Sequence, residues 1–318
     1  MAKRLTHFIK ITLLAVVLWG ATLHAQGARY PSLSQNRVVL VGDSGRWDAD
    51  KVHTLSVVEA NRGGYRYWGY YGLSYYWLFG GGQLNLLKAG LARSNDLIHW
   101  DKYEGNPIIG DNCRWPNAIL VGSKFYVFYE EYDEANDSRI VMVTSKDGIH
   151  FDNKMVVVPR ERGMQNQNPF IYFNKRDKNF YLFYYSGIEK SRDSTSKNWN
   201  IMVRKSRKIE HLKDANPMIL ITARHTLAAP SVAFYKNRYY LLVEAWNPER
   251  WGKKWVTLAY VSNKIDGKYK ELSNSPVLND TDACAFQYIF HNNLYIFYSH
   301  CVDTARSNWD LRMVKVTK

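Results

Sequence analysis

An all-β, five-bladed propeller is the fold this sequence predicts, and three observations predict it. A short apolar strand followed by an aromatic-rich strand recurs five times along the chain. Counted between Leu55, Pro116, Pro169, Pro230 and Ala285, the recurrences lie 61, 53, 61 and 55 residues apart, which is room for four strands each. The last unit ends one strand short, and a lone strand-like segment at residues 37–41 is available to complete it.

The units read in order as follows. Residues 55–58 pair with 65–68, 116–120 with 124–129, 169–172 with 179–184, 230–234 with 238–242, and 285–289 with 293–298. Tyr and Phe crowd the second member of each pair, as expected of strands whose alternating side chains fill the space between neighbouring sheets. Third strands follow at 88–94, 140–145, 200–206 and 256–262. After three of these, segments 95–100, 146–151 and 264–269 supply Asn, Asp or Gly turns, which tolerate positive φ, and lead to a fourth strand. The final blade has only its third strand, 311–316, so residues 37–41 supply its outer strand, pin the chain ends together and remove an exposed edge. No stretch sustains helical periodicity or reads as a linker, so residues 26–318 form one domain, a single propeller.

Ahead of that domain, Lys3, Arg4 and Lys10 precede an apolar run over residues 11–19 and then Leu23, His24 and Ala25, the layout of a cleaved secretory signal over residues 1–25. The apolar run falls short of the roughly 20 residues that cross a bilayer, so a soluble secreted or periplasmic protein is expected. No cysteine directly follows the cleavage region, so a lipoprotein anchor is not expected. Cys113, Cys284 and Cys301 allow at most one bridge, with Cys284–Cys301 as an open option, so the fold does not depend on disulfides. The formal net charge of +14 falls by three to +11 once the leader is removed. That charge fits uronic-acid polysaccharide, lipopolysaccharide or nucleic acid, and a solvated basic surface accounts for it equally well.

In a propeller the innermost strands begin and the second strands end at one face, around one axial funnel. Asp48 and Asp50 precede the first innermost strand, Asp111 the second, and Asp280 and Asp282 the fifth, while Glu130, Glu131 and Glu244 end second strands. Glu244 follows an apolar strand and stands next to Trp246 but one, surroundings that favour a proton-donating carboxyl. Aspartates before a strand also cap turns, and Glu130 and Glu131 read as solvated ion-pair partners ahead of catalytic groups. His53, His225 and His300 fall at the same mouth, with Arg114, Arg224, Gln165, Asn166, Gln167 and Asn168 in comparable places, a collar suited to reading hydroxyls or a carboxylate. Trp47, Trp77, Trp115, Trp246 and Trp251 lie in loops or at strand starts and are candidates for stacking on a sugar. No His or Cys pair has zinc-like spacing, and residues 80–82 lack the Lys-Ser/Thr ending of a phosphate loop, so no metal site or cofactor is expected.

Blades opening near Pro, aromatic second strands, and the segments 92–100, through Asn95, Asp96, His99 and Trp100, and 144–151, through Asp147, Gly148, His150 and Phe151, together resemble five-bladed propeller glycosidases. The resemblance is to glycoside hydrolase families 43 and 117 and β-fructosidase-like proteins, and it covers nearly the whole mature chain. It implies glycosidic bond hydrolysis by two carboxyl groups across the sugar, about 5–5.5 Å apart for retention or about 6.5–9.5 Å for inversion. Some relatives carry an axial calcium or sodium ion, which is compatible with this chain. In the family an Asp directly precedes the blade-opening Pro, whereas here Thr54, Trp115, Asn168, Ala229 and Cys284 occupy those positions. The first blade carries its acids a few residues earlier, which makes Asp50 the expected base or nucleophile and Glu244 the acid, with Asp48 and Asp111 as further catalytic candidates. His53, Arg114, Trp115, Asn168, His225, Trp246 and His300 are the expected substrate contacts. The expectation is thus a monomeric glycosidase acting on a polysaccharide or oligosaccharide, including an anionic one. The alternative is a carbohydrate-binding propeller without catalysis, and a nucleic-acid partner, supported by charge alone, ranks third.

Overall fold

Five antiparallel sheets of four strands each make up the computed structural model, which describes residues 28–49, 51–73, 87–110, 112–133, 137–188, 199–303 and 308–317. Blade 1 comprises β2 (Val52–Arg62), β3 (Tyr65–Leu73), β4 (Gly90–Ser94) and β5 (Asp101–Lys102). Blade 2 comprises β6 (Arg114–Val121), β7 (Lys124–Tyr132), β8 (Ser138–Ser145) and β9 (Asp152–Val158). Blade 3 is β10 (Met164–Asn174), β11 (Asn179–Ile188), β12 (Trp199–Ser206) and β13 (Met218–Ala223), and blade 4 is β14 (Thr226–Tyr235), β15 (Arg238–Trp246), β16 (Trp255–Ser262) and β17 (Lys270–Glu271). Blade 5 holds β18 (Asp282–Phe290), β19 (Asn293–Asp303) and β20 (Asn308–Lys315), and its outer strand is β1 (Arg37–Leu40) from the other end of the chain.

The expected closure is therefore present: Arg37 and Val38 pair with Met313 and Arg312. The segment before β1 reinforces it. Tyr30 is buried between blades 4 and 5, where its hydroxyl donates to Gln287 Oε1 at 2.9 Å. Blade 3 gains an outer strand, β13, that the sequence pattern had not marked, because a 3-10 segment, Ile209–Asp214, replaces the Asx turn used in blades 1 and 2.

The core is divided among the blade interfaces. Separate apolar clusters lie between blades 1 and 2, 2 and 3, 3 and 4, 4 and 5, and 5 and 1. Alternation along β7 shows why: Phe125, Val127 and Tyr129 face blade 1, while Tyr126 and Phe128 face blade 3. The signatures in blades 1 and 2 are turns. Asp96 accepts from the backbone N–H of Ile98 and His99, Asp147 from those of Ile149 and His150, and each carboxylate meets its own histidine at 2.6 and 2.7 Å.

Along the axis, aromatic rings fill the end away from the mouth. Phe170 of blade 3 meets Phe286 of blade 5 with centroids 5.5 Å apart, and Tyr288 reaches across to Ser56 and Asn117 through its hydroxyl. The axial site is consequently confined to the mouth end, where innermost strands start.

Candidate axial site

A repeated backbone distortion builds the mouth. Thr54, Trp115, Asn168, Ala229 and Cys284 all have positive φ, between 44° and 54°, although none is glycine. Each sits at a shift of register between its innermost strand and the next one. Left-handed non-glycine residues are uncommon and cost energy, so five at equivalent positions mark a designed ring of bulges that re-aims side chains. Trp115, Ala229 and Cys284, from blades 2, 4 and 5, pack on one another as a cluster of their own. Blades 2 and 4 are not neighbours, so the indole reaches across the axis at the level of the ring.

Around this ring the second strands offer a matching set, because the residue preceding each ring position pairs with Gly72, Glu130, Tyr185, Glu244 or Ser299. Three of these accept the ring N–H of the following blade. Glu130 Oε2 takes that of Asn168 at 2.8 Å, Glu244 Oε2 that of Cys284 at 3.0 Å, and Ser299 Oγ that of Thr54 at 3.2 Å. Asn168 Oδ1 takes the N–H of Ala229 at 3.2 Å. At Gly72 there is no room for a side chain: a Cβ would stand 2.8 Å from Pro116 Cδ and 3.4 Å from Trp115 N.

The sequence-predicted residues separate into those the ring gathers and those it does not. His53, Arg114, Trp115, Asn168 and Glu244 are buried in and around it. Trp115 Nε1 donates to His53 Nδ1 at 3.2 Å, and burial, with the charge of Arg114 adding, lowers His53 to about 3. The Arg114 guanidinium lies 4.0 Å from the Trp115 ring centre and donates to the Tyr132 hydroxyl at 2.7 Å, which in turn donates to Glu130 Oε1 at 2.6 Å. Glu130 is thus fully buried rather than solvated, and Glu131 is buried too, in an ion pair with Arg139 and Lys154 rather than a solvated one. Cys284 Sγ lies 3.1 Å from Glu244 Oε2, and burial, then the Glu244 carboxylate, pushes this thiol up. All three cysteines are free, Cys301 included.

Asp48 turns elsewhere. Its Oδ2 receives the Tyr71 hydroxyl at 3.0 Å and Lys102 Nζ at 2.6 Å, and Lys102 belongs to the outermost strand of blade 1. Asp50, Asp111, Trp77 and residues 80–82 lie outside the described residues. His300 Nδ1 stands 2.8 Å from Asp282 Oδ1 at the opening of blade 5. Trp246 is half-buried at the end of β15, paired with Trp255 across the sheet, their rings 6.3 Å apart, and two residues beyond Glu244 on the same strand face. His225 meets the edge of Trp251 at 5.6 Å, and burial, then Arg250, lowers its pKa. Among the described residues no group of three or more His, Cys, Asp or Glu side chains is arranged to hold a metal ion.

Glu130, Tyr132 and Ser299 are the ring partners that residue-by-residue reading missed or misassigned. A signal was available: Glu130 and Glu244 are each the seventh residue of their second strands, so aligning the hairpins superimposes them. A cleft of about 610 Å³ lined by Arg37, Asp96, Tyr295 and Lys315 lies where β1 starts and β20 ends, at the far end of the propeller from this ring.

No family model and no curated protein matches the chain. Solved structures do. A thermostable family-43 glycoside hydrolase superposes with a TM-score of 0.65 at 15% identity, covering 88% of this chain and 92% of that one. The catalytic domain of a GH62 α-L-arabinofuranosidase from Coprinopsis cinerea gives 0.63 at 14% identity over 92% and 98% of the two chains. An endo-arabinase from Bacteroides thetaiotaomicron gives 0.61 at 13% over 88% and 97%. At such identities the likeness is one of architecture, and the chain has the five-bladed propeller fold on which these glycoside hydrolases are built.

Proposed function

We propose that this protein is an exported glycoside hydrolase-like propeller that takes a polysaccharide or oligosaccharide into its axial mouth and cleaves a glycosidic bond there. Glu244 is the observation that carries the reading: a carboxyl side chain only 1% exposed, beside the axial ring, below the half-buried Trp246. Glu244 is the proton donor in this account, and Asp50, in the segment leading to His53, is the base or nucleophile on the other side of the sugar. Asp48 is committed to Lys102, which favours Asp50 over it, and Asp111 remains a catalytic candidate. Trp246 offers a stacking face, and His53, Arg114, Trp115, Asn168, His225 and His300 are the proposed substrate-binding set. The net charge of +11 after removal of the leader supports an anionic glycan, and residues 1–25 support delivery to the periplasm or the exterior.

A second reading, glycan binding without hydrolysis, is favoured by one specific observation. None of the five ring residues is an acid, and Glu130 and Glu244 each commit an oxygen to a ring N–H. Reducing-sugar release from neutral and uronic-acid polysaccharides, by wild type beside Asp50→Asn and Glu244→Gln, separates the two. Gln keeps an acceptor for the Cys284 N–H, so Glu244→Gln tests chemistry rather than folding. Release by wild type that both variants lose is the expected outcome. Binding without release from any substrate selects the second reading.

A further inference from the structure

Most polar side chains of the axial ring use their donors inside the protein. The Thr54 hydroxyl donates to the His53 carbonyl at 2.7 Å, Trp115 Nε1 to His53 Nδ1, and the Cys284 thiol to Glu244. Asn168 differs. Its side chain faces the Ala229 N–H at 3.2 Å, and a donor there requires an acceptor, so Oδ1 occupies that side and the NH2 group is directed away from it. Glu130 already satisfies its backbone N–H. Asn168 is 1% exposed, and Nδ2 has no hydrogen-bond partner among the described residues.

A buried amide with two unmet donors is costly in a finished interior and rare in folded proteins. Here it stands on a residue held at φ 54°, on the ring that encircles the axis, so its position is fixed by two backbone hydrogen bonds rather than by chance rotation. Such a donor is completed by an incoming acceptor, and sugar hydroxyl and ring oxygens are acceptors of that kind. We propose that Asn168 is a ligand-positioning residue whose Nδ2–H donates to a hydroxyl or ring oxygen of the sugar unit seated at the axis. This rests on the axial mouth being the carbohydrate site. It also implies discrimination: a sugar lacking the oxygen at that place leaves the amide unmet and is rejected.

The test is titration calorimetry of the full mature chain with xylan, arabinan, galactan and polygalacturonate oligosaccharides, comparing wild type with Asn168→Asp and Asn168→Ala, each checked by thermal unfolding. Asn168→Asp keeps an oxygen opposite the Ala229 N–H and replaces the donor with a second, charged carboxylate oxygen. Asn168→Ala adds no charge beside Glu130 and decides the matter should the aspartate variant not fold. The expected result is affinity weakened about tenfold or more in the folded variants for the glycan that wild type binds. Wild-type affinity in a folded variant overturns the proposal and leaves the axial carbohydrate site standing. No binding of any glycan by wild type overturns both, and that outcome is read on wild type alone.

Discussion

Glu130 and Glu244 do the same work two blades apart, each presenting one carboxylate oxygen to the ring N–H of the next blade. Glu130 also balances Arg114, through the Tyr132 hydroxyl and at 3.6 Å directly. Removing it strands a buried guanidinium and a buried N–H together. Glu130→Ala should therefore cost about 3–5 kcal/mol in urea unfolding, with Glu130→Gln losing clearly less because it keeps an acceptor. His53 gives a second test. Its folded-state pKa of about 3 lies below the unfolded 6.5, so the unfolded chain takes up this proton first and stability is lost as pH falls from 6.5 toward 3. The slope is at most about 1.4 kcal/mol per pH unit. His53→Gln, which keeps an acceptor for Trp115, should flatten the dependence between pH 6 and pH 4 relative to wild type. The sequence pointed to His53, Arg114, Trp115, Asn168 and Glu244 by their place at strand starts and ends. It did not disclose that Glu130 is buried, because burial there depends on Arg114 and Asn168 arriving from other strands.

At the scale of elements, the aromatic second strands were legible because period-two alternation is local, and the structure uses both of their faces. Phe183 illustrates the consequence, being fully buried between blades 3 and 4. Phe183→Ala should lower stability by about 3–5 kcal/mol, whereas Met218→Ala on the exposed outer strand of the same blade, 40% exposed, should change it by about 0.5 kcal/mol or less. Outer strands were the least legible elements. The turns before β5 and β17 announced them, but each is only two residues long, and β13 follows a 3-10 segment rather than an Asx turn, so turn chemistry did not announce it. The five ring bulges left no compositional trace, since Thr, Trp, Asn, Ala and Cys share no preference for positive φ and only the closed ring imposes it.

For the molecule as a whole, closure by β1 is the feature most exposed to test. Deleting residues 28–41 removes β1 and the Tyr30 anchor and bares the edge of β20. The shortened chain should melt at lower temperature and self-associate in size-exclusion chromatography, whereas wild-type melting would show that closure is dispensable. Above that ring stands the central claim, that the axial mouth receives carbohydrate. Trp246 tests it most directly, because it is half-buried at the rim and outside the ring's hydrogen bonds, so its loss spares the scaffold. The measurement is the affinity of Trp246→Ala for the glycan that wild type binds, by titration calorimetry at matched thermal stability. The account predicts affinity weakened about tenfold or more, and affinity equal to wild type would contradict it.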